Sequence, residues 1–328
     1  MNTETRINGS RVVLGVDIGG TNAKFGYVDR KGKCLASLSM PTEANQPADL
    51  FFKRLWENSE TLLRSLPGEH RLIGIGIGAP NANFHKGTIE HPPNLGWEFV
   101  DVRAQLSKYY SGPIAVTNDA KAAALGEMLF GAAQGMRDFI VITLGTGLGS
   151  GIVANGELIY GADGFAGEIG HAIVDPNGRA CGCGRRGCLE TYCSATGLCR
   201  TVQQLLGDST EPSRLRTISF AELTAEMVSE AALQGDRLAS QAFEQTGHIL
   251  GVKLSDSVAH LSPEAIILFG GLAAAGELIF APTKRSLEEH LFPIFRNKVK
   301  LLPSKLTEGN TAVLGASALI WSAPGKIR

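Results

Sequence analysis

At 328 residues the chain is long enough for two domains of ordinary size, and 44% hydrophobic with 19% charged residues is the composition of a folded globular protein. A formal net charge of −1 supplies no global field that would recruit nucleic acid or an anionic membrane. The polar start, MNTETRINGSRVV, lacks the apolar centre of a secretory signal, and no apolar run approaches the roughly 20 residues of a membrane span, so the expected location is the cytoplasm.

Residues 12–38, VVLGVDIGGTNAKFGYVDRKGKCLASL, read as strand, Gly-Gly turn, strand, Lys-Gly turn and strand. The stretch 48–66 puts Phe51, Leu55, Leu62 and Leu66 on one helical stripe. Residues 72–80 and 114–117 are short apolar strands, and 119–133 is an Ala-rich helix with Asp119 as its expected N-cap. Residues 139–161, FIVITLGTGLGSGIVANGELIYG, repeat the opening design: strand, glycine-rich turn, strand, Asn155-Gly156 hairpin, strand. Past a cysteine-rich segment, 207–213 reads as a polar loop and 219–233 as a helix opened by a Ser219–Glu222 capping box. A long helix over 236–261, a buried strand over 265–271 ending in paired glycines, and an apolar helix over 311–321 complete the chain. One three-stranded unit appearing twice predicts two domains of similar topology.

The segment HAIVDPNGRACGCGRRGCLE, residues 171–190, sets Cys181, Cys183 and Cys188 among glycines in a loop suited to curl around one centre. In a reducing compartment a disulfide framework is disfavoured, and the spacing is not that of a CxxC redox pair. With His171 as a fourth ligand the set suits a structural zinc; three thiolates and a neutral imidazole leave about one excess negative charge, which Arg179, Arg185 and Arg186 are placed to offset. Cys34, Cys193 and Cys199 stand apart as buried or bystander thiols.

The glycine-rich turns are not a P-loop, since GxxxxGK[ST] occurs nowhere. GTGLGSG at 145–151 resembles a dinucleotide fingerprint but leads into a strand rather than a helix. Two such turns at equivalent places in two similar units instead suit a polyphosphate ringed by backbone N–H donors, with hydroxyls from Thr21 and Thr146. Asp17, closing the first strand, is either a ligand for the hydration shell of magnesium or a plain turn aspartate.

In this order DIGGTNAKFG, TNDAKAAALGE, TLGTGLGSG, GEIGH and CGCGRRGCLE resemble the ROK family of sugar kinases and related repressors, over essentially the whole chain from about residue 11. ITLGTGLGSGIV and GFAGEIGH are most similar to its bacterial glucokinase branch. The resemblance implies an actin-like, ribonuclease-H-like pair of α/β domains with Mg-ATP in an interdomain cleft. The expected division is a smaller domain of residues 11–118 plus 311–328, a larger one of 119–310 carrying the zinc loop, and a polar tail over 1–10.

It further implies that Asp17, Gly19, Gly20 and Thr21, with Gly145, Thr146 and Gly147, clamp the phosphates, and that Gly270 and Gly271 approach the adenosine. Asp119 is the implied general base, which chemistry also requires within reach of an attacking hydroxyl. Asn118, Asn94, Glu168, His171 and Glu190 fall at sugar-contacting positions. A zinc on one ring nitrogen of His171 would leave the other for a sugar hydroxyl, making the metal structural. A homodimer is the implied assembly. Two departures bear on sugar choice: Lys121 stands where relatives often carry asparagine, either altering the site or projecting outward, and GAPNANF at 78–84 lacks a Pro-Gly found in many relatives.

The leading expectation is ATP-dependent phosphorylation of glucose at the 6-hydroxyl. N-acetylmannosamine, N-acetylglucosamine or fructose are alternative substrates, and polyphosphate an alternative donor. From another class stands a non-catalytic sugar sensor related to ROK repressors. Those carry an N-terminal helix-turn-helix domain, for which the ten or so residues before the first strand are too few.

Overall fold

The computed structural model describes residues 9–306 and 310–322; most of the expected tail over 1–10 and the last residues of the 311–328 segment lie outside the described residues. The chain packs as two units. One comprises the residues up to 135, with 160–166 and those from 305 onward; the other comprises 136–159 and 167–304.

In the first unit, β1 (Ser10–Ile18), β2 (Asn22–Val28) and β3 (Cys34–Pro41) form an antiparallel meander, followed by α1 (Ala48–Ser65) and β4 (His70–Gly78). A small antiparallel sheet of β5 (Ala82–Asn83), β6 (Thr88–Glu90) and β7 (Phe99–Asp101) leads to α2 (Val102–Ser107), β8 (Ile114–Thr117) and α3 (Asp119–Phe130). The main sheet has the order β3-β2-β1-β4-β8, with β1, β4 and β8 parallel. Of the expected stripe, Phe51 and Leu55 are buried on α1, Leu62 is half-buried and Leu66 is buried just past the helix end; Phe51 and its neighbour Phe52 join Trp97 in an aromatic cluster. The parallel strands β1 and β4 are buried almost throughout their C-terminal halves, as strands covered on both faces must be.

The second unit repeats that plan. β9 (Phe139–Leu144), β10 (Leu148–Ala154) and β11 (Glu157–Leu158) form the meander, the last two joined by Asn155 and Gly156, both at positive φ as a tight hairpin requires. Then come α4 (Ala195–Asp208), α5 (Ala225–Leu233), α6 (Arg237–Leu261), β12 (Ala265–Phe269), α7 (Glu277–His290) and β13 (Lys300–Pro303). The sheet order β11-β10-β9-β12-β13 matches the first sheet, three antiparallel strands followed by parallel neighbours. Ile140, Ile142, Ile266 and Leu268 meet Leu198, Val202, Phe243, Leu250 and Leu287 of the helices in one core.

The last element, α8 (Thr311–Trp321), returns to the first unit and packs on β1, β4 and α3. Its approach is close: a Cβ on Gly76 would overlap the carbonyl oxygen of Ala316, so only glycine admits the helix there.

Three local expectations are corrected. The N-cap of α3 is Asn118, whose side chain accepts from the N–H groups of Ala120 and Lys121, not Asp119. The helix expected from 219 starts at Ala225 under a Thr224 cap; Ser219 and Glu222 bond each other by side chains (2.6 Å) in the preceding turn. The first unit takes in α3 and residues 160–166, which the sequence-based division gave to the larger domain. The helices α2, α4 and α7 have no counterpart among the expected elements.

Candidate active site

In the first unit the site residues gather at the C-terminal edge of the parallel strands, where an open α/β sheet offers free strand ends to a ligand. Asp17 on β1 is level with Gly78 on β4, and Gly78 is level with Thr117 on β8. With no side chain between them, Asp17 and the Asp119 that follows Thr117 become electrostatic neighbours. Burial, and then the charge of Asp119, push the Asp17 carboxyl up to about 7, while Lys24 opposes the shift. Asp119 is solvent-accessible, yet its surroundings strip enough solvation to push its carboxyl up too, against hydrogen bonds from the Ala120 N–H and Asn118. Asn118 spends its side-chain oxygen on the cap of α3, which leaves the amide NH2 as the donating end.

The turn between β1 and β2 adjoins this pair. Thr42 fixes it by donating its hydroxyl to the Gly19 carbonyl (2.6 Å) and its N–H to that of Thr21 (2.9 Å). Among the described residues, none accepts from the N–H groups of Gly20 or Thr21. Asn94 is exposed and packs against Gly20, where an added Cβ would stand 2.5 Å from the Asn94 carbonyl oxygen.

In the second unit, the turn Gly145–Gly147 follows β9 and is closed by a bond from the Gly145 N–H to the Gly147 carbonyl (3.0 Å). Thr146 and Gly147 donate their N–H groups to none of the described residues. Gly270 and Gly271 follow β12, the parallel neighbour of β9, and Leu272 donates to the Leu144 carbonyl, so the two turns lie side by side. Gly145 and Gly271 both face open space.

The segment GEIGH is pinned to β10, because Ser150 donates its hydroxyl to the Gly167 carbonyl and accepts from the Ile169 N–H. Glu168 is exposed and His171 half-buried at the end of a 3-10 turn. Short bridges Ile173–Cys188 and Ala180–Arg186 fold the following loop back on itself. This brings one donor atom each from His171, Cys181, Cys183 and Cys188 within 4.8 Å of one another. Cys181 Sγ lies 3.8 Å from His171 Nδ1, and the Cys183 and Cys188 sulfurs are 3.6 Å apart. Ligand atoms around a tetrahedral zinc with ordinary bond lengths stand roughly 3.5–3.8 Å apart, so the donor set fits such an ion, with Nδ1 as the ligating nitrogen of His171.

Glu190 joins the metal cluster to the phosphate-type turn. Its Oε1 is 3.0 Å from Cys181 Sγ and 3.7 Å from His171 Nδ1, and a Cβ on Gly147 would stand 2.8 Å from its Oε2. Of the three arginines expected to offset charge, Arg185 donates to the His171 carbonyl (2.9 Å). Arg179 instead stacks over Tyr192 and donates to the carbonyls of Thr191 and Gly197. Cys34, Cys193 and Cys199 lie away from the cluster, each with its sulfur against a backbone carbonyl.

The first unit therefore assembles Asp17, Gly19, Gly20, Thr21, Asn94, Asn118 and Asp119. The second assembles Gly145, Thr146, Gly147, Gly270 and Gly271, and Glu168, His171 and Glu190 with the three cysteines. Sequence reading missed Thr42 and Gly78, which no motif marks; the turn's hydrogen bonds and the strand register identify them. It left Lys121 open, and the structure corrects the outward alternative: Lys121 is fully buried, with its Nζ donating to the Gly164 carbonyl (3.0 Å).

Two α/β units on one plan, each with a glycine turn at the ends of its central strands, define a two-domain protein of the actin-like fold. The chain belongs to the ROK family, whose family model matches residues 13–323. A glucokinase of Halalkalibacterium halodurans is 37% identical over 290 residues, spanning 86% of this chain and 87% of that protein. The crystal structure of a ROK family glucokinase from Streptomyces griseus in complex with glucose and AMPPNP matches with a TM-score of 0.80 at 33% identity, covering 95% of this chain and 100% of that one. A xylose repressor of Bacillus spizizenii is 28% identical over 308 residues, 94% of this chain and 76% of its own.

Proposed function

We propose that the protein is a hexose kinase that transfers the γ-phosphoryl group of Mg-ATP to the 6-hydroxyl of glucose. The observation that carries this reading is the solvent-open Asp119 beside Asp17 and the Gly19–Thr21 turn, with Asn118 rather than Asp119 capping α3. The similarity to glucokinases, one of them bound to glucose and AMPPNP, supports it.

Asp119 accepts the 6-hydroxyl proton as that oxygen attacks the γ-phosphorus and the bond to the β–γ bridging oxygen breaks, releasing ADP. Its raised carboxyl brings it closer to the working pH, which suits a general base better than a fully solvated aspartate. Asn118 donates its amide to a sugar hydroxyl, and Asn94, Glu168, His171 and Glu190 supply further sugar contacts. The uncommitted N–H groups of Gly20, Thr21, Thr146 and Gly147, with the Thr21 and Thr146 hydroxyls, hold the phosphates. Asp17, ionised, holds the hydrated magnesium that accompanies ATP, and Gly270 and Gly271 flank the adenosine.

His171, Cys181, Cys183 and Cys188 hold a structural zinc, which when bound fixes the loop and the orientation of the imidazole. Ligation through Nδ1 leaves Nε2 of His171 for the sugar. Among the described residues no helix is long and apolar enough to cross a membrane, and the reading places the enzyme in the cytoplasm as a homodimer.

The test is ADP release with Mg-ATP across glucose, N-acetylmannosamine, N-acetylglucosamine, fructose and mannose. Turnover strongest on glucose is expected. Preference for an N-acetylated sugar keeps the mechanism and changes the substrate, whereas binding of a sugar without turnover on any of them identifies a sensor and refutes the kinase.

A further inference from the structure

Lys121 occupies a place that physics disfavours. It is 1% exposed, and burying an ammonium costs several kcal/mol unless it is well partnered. It is also the third residue after the Asn118 cap, at the helix end where the macrodipole opposes a cation. What its ammonium holds is the backbone of residues 160–166, through the Gly164 carbonyl.

That loop, itself part of the first unit, is fastened to the rest of it at four residues, 160, 161, 163 and 164. Tyr160 stacks on Phe84 with ring centroids 3.9 Å apart, and His85 Nε2 lies 2.9 Å from the Gly161 carbonyl oxygen. The buried Asn83 donates its amide to the Asp163 carbonyl (2.7 Å). The oxygen of the same amide accepts from the N–H groups of His85 and Lys86, so its orientation is fixed. Gly164 takes φ +85, and a Cβ there would stand 2.7 Å from Asn83 Oδ1. Successive carbonyls, Asp163 and Gly164, are thus gripped by buried side chains from two different elements. Three residues further on, the Gly167 carbonyl accepts from Ser150, and Glu168 follows directly.

We infer that Lys121 is a positioning residue: by fixing the Gly164 carbonyl it sets the backbone that leads into Glu168, and with it the affinity for hexose. The inference rests on the hexose-kinase reading. It gives position 121 a functional role although its side chain is buried.

The test compares wild type with Lys121→Met, which keeps length and loses the donor. Glucose and Mg-ATP binding are measured by calorimetry, and amide hydrogen exchange over residues 160–168 by mass spectrometry. Losing a charged hydrogen bond that orders a loop is expected to weaken glucose binding about tenfold, with Mg-ATP binding unchanged and exchange over 160–168 accelerated. A folded Lys121→Met with unchanged glucose affinity, or with unchanged exchange in that segment, overturns the inference. Should Lys121→Met not fold, Asn83→Leu removes the neighbouring anchor, and the same two readouts decide: selective loss of glucose binding supports the inference, and unchanged binding overturns it. If wild type itself binds no hexose of the panel, the kinase reading fails and the inference with it, an outcome distinct from an unaffected variant.

Discussion

Replacing Asp17 by asparagine separates what the site costs from what it does. Asp17 sits half-buried at the end of β1, level with Gly78 and beside Asp119, with its carboxyl raised from 3.8 to about 7. Between those two values the folded chain holds a proton that the unfolded chain releases, so stability falls as pH rises through that window. About three pH units at about 1.4 kcal/mol each set a ceiling of about 4 kcal/mol on the cost of the ionised group at pH 8. Residual solvent contact screens part of it, leaving about 2 kcal/mol. An asparagine at this position cannot ionise, so Asp17→Asn is expected to raise the melting temperature by about 5 °C at pH 8, at roughly 2–4 °C per kcal/mol. The gain should shrink toward pH 5, where the wild-type carboxyl is protonated in the fold. Scanning calorimetry at the two pH values reads the difference, and Mg-ATP binding by the same variant should be lost. A variant no more stable than wild type at pH 8, or equally stabilised at both pH values, would refute the account of Asp17. In wild type the same titration predicts that Mg-ATP affinity increases as pH rises through about 7, because the ionised carboxylate is the binding form.

Asp119→Asn keeps the shape of the residue and removes the base; turnover is expected to fall by about 10²–10⁴ with glucose still bound, and near-normal turnover would exclude Asp119 from that role. Cys183→Ser should remove bound zinc, measured by elemental analysis, together with glucose binding; a zinc-free variant with full activity would show the loop does not depend on metal. Gly76→Ala drives a methyl into the Ala316 carbonyl and should cost about 3 kcal/mol or more in chemical denaturation, whereas Gly207→Ala, which faces open space on α4, should be neutral or stabilising by up to about 1 kcal/mol. Equal effects of the two glycine substitutions would contradict the close approach of α8.

Much of the fold was legible because strand patterns and tight turns are local. The meander over 12–38 and its counterpart over 139–161 came from alternation and turn residues alone, and the two sheets carry the matching strand order. The metal loop was legible for the same reason: all four donors lie within one short segment, and chain closure does most of the gathering. Local reading failed where two local solutions competed. Asn118 and Asp119 are both good caps, and only the strand end at Thr117 decides which takes the role. Ser219 and Glu222 form the expected side-chain bond, but the turn containing them is followed by Thr224, a second cap that starts the helix instead.

By itself, the sequence determined the repeated α/β plan, the glycine turns and the cysteine–histidine clip, since each is fixed by residues near one another in the chain and by backbone preferences that act at short range. Only the tertiary structure decided which charges and carbonyls become neighbours. Asp17 meets Asp119 because β1, β4 and β8 lie side by side with a glycine between, and Lys121 meets Gly164 across 43 positions of chain. Such pairings depend on strand register and helix packing, and their energetics on burial, neither of which a residue carries in its own identity.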